Sequence, residues 1–170
     1  MNENKILEFH NFYNRIYEDA ENILKKLNKL SYNAKLGSFN NHYIKCKNSY
    51  LHQNYYMPVI SIENIGDICF NIDGISFEFY LSKEELLMLT ELEALLTQFK
   101  QELNIYEYED CTNDIYIIND TKEELLQKIK KSKDKKFGVS IDCSNLENGK
   151  IINTFNIVCS LLNLNNPINK

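Results

Sequence analysis

The chain has 170 residues, is 44% hydrophobic and carries a formal net charge of −5. It is long enough for one domain with a sizeable core, and its overall sign opposes nucleic acid. Arg15 is the one arginine against eighteen lysines, so bidentate reading of phosphate or guanine is nearly excluded and a nucleic-acid partner is not expected. No apolar run approaches a membrane span and no basic-then-apolar leader opens the chain. The expectation is a cytoplasmic protein with no membrane partner. It would form a single α+β domain over 1–170, with a helical N-terminal element over 1–37 and a sheet-and-helix body over 38–170.

Residues 4–30 read as one long helix. Ile6, Phe9, Tyr13, Ile16, Ala20, Ile23, Leu27 and Leu30 recur at spacings of 3 and 4, a heptad seam. Such a seam either packs along its own domain or assembles a homodimer through residues 6–30. Its aromatic and alanine positions argue against a regular two-stranded zipper. Gly37 is expected to close this unit.

Residues 41–46, 50–56 and 59–62 read as strands, with a break or an edge at Pro58. Residues 67–72 and 75–81 then alternate around Asp73-Gly74, the signal for a two-residue type I′ hairpin. With Asp73 and Gly74 as the loop, Ile72 faces Ile75, Phe70 faces Phe77 and Ile68 faces Phe79. An antiparallel sheet of about four to five strands is the simplest assembly.

Ser82 and Glu85 form a capping box, with Leu81 and Leu86 as its hydrophobic staple. Leu89, Leu92, Leu96, Phe99 and Leu103 continue at helical spacing, widened by Met88 and Leu95. The spacing predicts one helix over 83–103, ended by Asn104. After it come an exposed connector, a strand over 114–118 and a short helix capped by Thr121 and Glu124. A half-buried strand over 137–143 follows, and then a segment over 150–164 that suits either helix or strand. The helix fits its apolar stripe better. The near-repeat of Ser82-Lys-Glu-Glu-Leu-Leu at Thr121 reflects a shared way of starting a helix more readily than a duplicated unit.

Three constellations are candidates for chemistry. His42, Cys46 and His52 would meet across a hairpin, but no fourth ligand stands nearby and the spacing matches no common zinc site, so no metal is expected. The cysteines at 46, 69, 111, 143 and 159 show no paired spacing and read as thiols, not disulfides. Residues 82–114 hold nine acids against two lysines, and this acidic surface would suit a basic partner. Its candidate contacts are Glu84, Glu91, Glu102, Glu107, Glu109, Asp110 and Asp114. A competing aromatic surface would present Tyr43, His52, Tyr55 and Tyr56. The lysines over 128–136 read as a solvated helix end.

No Gly-rich phosphate loop, nucleophile elbow or paired-ligand metal motif is present. The expectation is a non-enzymatic protein-binding inhibitor or adaptor with no cofactor. Its kind would be that of an immunity protein, an antitoxin or a phage anti-defence protein. Two alternatives stand beside it: a small enzyme with a carboxylate-based site near 107–114, and a homodimeric structural component joined through the first helix.

Overall fold

A computed structural model describes residues 3–41, 44–46, 49–51, 55–71, 74–109, 114–147 and 149–164. Helix α1 (Glu3–Lys29) leads into strands β1 (Ala34–Asn41), β2 (Ile44–Cys46), β3 (Ser49–Leu51), β4 (Tyr55–Ile62), β5 (Gly66–Phe70) and β6 (Ile75–Ser82). Two short helices, α2 (Lys83–Leu87) and α3 (Leu92–Gln98), precede strand β7 (Leu103–Glu107). Helix α4 (Lys122–Lys131), strand β8 (Lys136–Asp142) and helix α5 (Ile151–Leu161) complete the order.

Among the described residues the main sheet has six antiparallel strands in the order β1-β4-β5-β6-β8-β7, and β2 pairs with β3 in a separate hairpin. This is the expected α+β architecture with a slightly larger sheet. All five helices feed one core cluster, which also takes the alternate residues Ile68, Phe70, Phe77, Phe79, Val139 and Ile141 of the central strands. Helices therefore cover one face of the sheet, and no described helix covers the other. Phe155 of α5 anchors the core, its ring 5.2 Å from Phe77, 5.6 Å from Phe79 and 6.0 Å from Tyr32.

Helix α1 forms as its periodicity predicts. Ala20, Ile23 and Leu27 are buried in the chain's own core, so these seam positions are spent inside the domain, whereas Leu30 at the end of the seam is exposed. Leu7 and Phe12, off the seam, are exposed. Gly37 lies within β1 and does not close a helical unit, because the strand already begins at Ala34.

The hairpin register differs from expectation by two residues. Phe70 pairs with Ile75 and Ile68 with Phe77. Asn71 N–H donates to the Gly74 carbonyl at 2.7 Å, and residues 72 and 73 between them lie outside the described residues. Gly74 has a long-range reason to be glycine: a Cβ there would stand 2.6 Å from the Cα of Ser144. A slip of two keeps each side chain on its face, because strands alternate with period two. The apolar face is therefore the expected one, although the register is not.

The helix expected over 83–103 is broken. Met88, at the end of α2, is 78% exposed, whereas Leu89 and Leu92 are buried on either side of the interruption. Leu103 fits the helical stripe and also a period of two with Ile105, and the strand prevails. Both are buried, pairing with Ile141 and Val139 of β8. Asn104 accordingly sits in β7 and does not end a helix. The strand expected over 114–118 reduces to one bridge between Asp114 and Tyr106, with Ile115 N–H donating to the Ile105 carbonyl at 2.8 Å.

Both capping boxes form. Ser82 N–H donates to Glu85 at 2.7 Å, and Thr121 N–H donates to Glu124 at 2.8 Å. The two helices meet end against start. Lys83 N–H donates to the Lys135 carbonyl, and its ammonium donates to the carbonyls of Lys130 and Ser132 at the C-terminus of α4. Thr121 follows irregular chain, unlike Ser82, which closes β6, so the repeated letters mark similar caps on differently placed helices.

Candidate functional site

The helix-free face of the sheet is built by the residues that alternate with the core. β5 contributes Asp67 and Cys69, β6 contributes Ser76, Glu78 and Tyr80, and β8 contributes Gly138 and Ser140. β7 adds Asn104 and Tyr106, and Tyr108 follows at its end. Glu78 stands at the centre. Its carboxylate accepts from the Ser140 hydroxyl at 2.6 Å and from the Tyr106 hydroxyl at 3.1 Å.

No ion pair among the described residues neutralises Glu78. Burial pushes its carboxyl above the usual range, hydrogen bonds from Ser140, Tyr106 and Ser76 pull it back, and the Asp67 charge adds a further upward push. Asp67 is its direct partner across β5 and β6, an arrangement of like charges that destabilises a strand pair.

Tyr106 reaches Glu78 across the intervening strand because Gly138 lies beneath it. A Cβ on Gly138 would stand 2.5 Å from the tyrosine oxygen. Beyond it, Tyr80 and Tyr108 meet edge to face with centroids 5.4 Å apart. The Lys136 ammonium lies 4.6 Å from the Tyr108 centroid and 5.4 Å from that of Tyr80. Tyr80 is 38% exposed and Tyr108 is 44% exposed, so the pair presents aromatic surface with a cation resting on it. Burial pushes the Tyr80 hydroxyl up to about 12 and the Cys69 thiol up to about 12, which leaves both uncharged near neutrality.

A shallow pocket of 370 Å³ opens where β5 begins and β6 ends. Its walls include Asp67, Tyr80, Leu81 and Glu85, and no lysine or arginine among the described residues.

The acids singled out from the sequence are dispersed. Glu84 is exposed on α2 and Glu91 is exposed before α3, both on the helical side. Glu102 is exposed before β7, and its carbonyl accepts from Asp142 N–H at 2.9 Å. Glu107 has the strand parity of Leu103 and Ile105, and its carboxylate accepts from the Ser132 hydroxyl. Glu109 N–H donates to Asp134 at 3.0 Å. Asp114 instead accepts from Asn104 at 2.9 Å, and Asn104 has the opposite parity. Glu107, at the end of β7, and Asp114, bridged to Tyr106 from outside that strand, thus take partners on opposite faces of the sheet and do not converge. Asp110, Tyr43 and His52, and the side chains of Tyr55 and Tyr56, lie outside the described residues, as do His42 and the side chain of Cys46.

Cys143 and Cys159 are buried free thiols, and Cys69 is a half-buried one. No group of three potential metal ligands occurs among the described residues. No described helix is long and apolar enough to cross a membrane.

The sequence reading missed the Glu78 network and the Tyr80–Tyr108 pair. One signal was present: the hairpin's second face sets Cys69 and Tyr80 among Asp67, Ser76 and Glu78, a mixture that plain solvent exposure does not call for.

No protein-family model matches the chain, and no curated protein matches it. Among solved structures, a conserved hypothetical protein from Pyrococcus furiosus is similar in fold, with a TM-score of 0.75 over 93% of this chain and 96% of that one. At 20% sequence identity this likeness concerns the fold alone.

Proposed function

We propose that this protein is a non-enzymatic binding protein that takes a protein partner on the helix-free face of its sheet. The observation that carries this reading is the exposed Tyr80–Tyr108 pair, set on a face that no described helix covers. Tyrosine joins a large apolar area to a polar tip at low entropy cost and is enriched among the residues that dominate interfaces. An inhibitor or adaptor role, of immunity-protein, antitoxin or anti-defence kind, accords with the acidic composition and the motif-poor sequence.

The test is affinity capture with the wild-type chain and with a Tyr80→Ala/Tyr108→Ala variant of unchanged far-ultraviolet circular dichroism. A stoichiometric protein retained by the wild type and lost by the variant supports the reading. Equal retention by both, or no stoichiometric protein, overturns it.

One observation favours a second reading, an acid–base enzyme: Glu78 is half-buried, pushed toward its neutral form and bonded to a tyrosine hydroxyl. The carboxylate it would use is then Glu78, not the acids near 107–114. Turnover abolished by Glu78→Gln at unchanged stability would decide for it.

A further inference from the structure

The pocket beside the tyrosines has an unbalanced lining. Asp67 and Glu85 place carboxylates on its walls, Tyr80 adds an aromatic face, and no cation joins them among the described residues. Glu85 already accepts from Ser82 N–H at 2.7 Å, yet a carboxylate carries about four acceptor sites, so it retains capacity for a second donor. Asp67 makes no ion pair among the described residues, and it faces Glu78 directly across the strand pair. The chain also shows what this face accepts against tyrosine: its own Lys136 ammonium rests on Tyr80 and Tyr108.

We infer that the partner segment seated on this face inserts a lysine or arginine side chain into the pocket between Asp67, Glu85 and Tyr80. A cation there relieves the like-charge pair of Asp67 and Glu78, gains charge-assisted bonds from two carboxylates and packs its stem on the Tyr80 ring. The 370 Å³ pocket lies within the usual size range of small-ligand sites, and it suits one side chain better than a helix or a strand. The inference rests on the partner-binding reading of the sheet face and adds the chemistry that face selects.

The test uses the full chain, labelled with nitrogen-15, and two blocked peptides, Gly-Arg-Gly and its citrulline counterpart. The citrulline peptide keeps the shape and removes the charge. The expected result is saturable shifts of the amides of 66–68 and 78–81 with the arginine peptide and none with citrulline. Asp67→Asn should weaken the arginine peptide about fivefold, the scale of one partly exposed ion pair. Asp67→Asn removes a like-charge contact, so its melting temperature should equal or exceed that of the wild type. Shifts of equal size with both peptides, shifts confined to Glu84, Glu91 and residues 102–109, or an unchanged affinity in Asp67→Asn would each overturn the inference. A partner that needs Tyr80 and Tyr108 yet ignores Asp67→Asn would sink this inference alone. A partner that ignores the tyrosines would sink the reading beneath it.

Discussion

Tyr106 lies flat across Gly138, and only the missing side chain of Gly138 lets the tyrosine hydroxyl reach Glu78 at 3.1 Å. One residue on β7 is thus tied to one on β6 over the strand between them.

Gly138→Ala should cost about 1–3 kcal/mol, the range for overpacking, because the new methyl displaces the Tyr106 ring. In a Tyr106→Ala background the sign should reverse, since alanine is favoured over glycine within a strand by roughly 0.5–1 kcal/mol. A double-mutant cycle by chemical denaturation measures both values. Equal costs in the two backgrounds would refute the link.

Glu78 sets a pH dependence with an unusual sign. Its folded form binds a proton more tightly than its unfolded form, so stability is fully present below the ordinary carboxylate range and falls as pH rises through the raised value. Glu78→Gln removes that fall. Denaturation curves at a series of pH values should show the variant gaining on the wild type as pH rises above the ordinary carboxylate range.

The capping glutamates act in the opposite direction. The Ser82 backbone N–H holds Glu85 below the usual carboxylate range, and that of Thr121 does the same for Glu124. Their contribution is present at neutral pH and lost as pH falls through the lowered values. Ser82→Ala and Thr121→Ala should each cost about 1 kcal/mol at pH 7. Glu85→Gln and Glu124→Gln should also destabilise at neutral pH, and thermal melts of each against the wild type should show that difference shrink as pH falls through the lowered values.

Phe155→Ala should be severely damaging, at about 3–5 kcal/mol for the truncation of a fully buried ring. That ring touches the aromatic residues of two layers, Phe77 and Phe79 of the sheet and Tyr32 after α1. A shift of the urea midpoint at constant slope checks the value.

Much of this architecture was legible from periodicity. Helix α1, both capping boxes and the inward residues Phe137, Val139, Ile141 and Cys143 followed from local pattern alone, whereas helix α5 was only the better of two fits. The failures have local causes too. Leu103 satisfies a helical stripe and a strand alternation at once, and only its pairing with Ile141 decides between them. Gly74 read as a turn residue because its real constraint, the approach of Ser144 from seventy residues away, is non-local. The candidate site was hidden for the same reason. Glu78, Ser140 and Tyr106 come from three strands, and no spacing within one segment announces that they meet. The acids near 107–114 were conspicuous as a run, yet Glu107 ends β7, Glu109 lies beyond it and Asp114 sits on a separate bridged segment, so nearness in sequence does not bring their carboxylates together.

The strand order has a consequence for how the chain is made. β8 lies between β6 and β7, although both of its neighbours precede it in sequence. Until residue 142 has emerged from the ribosome, the hairpin of β5 and β6 ends in a bare edge, and β7 has nothing to join. Such edges are templates for pairing with other chains. The insertion of β8 between two waiting strands is therefore the step that closes the sheet, and it depends on contacts distant in sequence, which form slowly. A truncation before Lys136 should yield an aggregating fragment, not a smaller folded one.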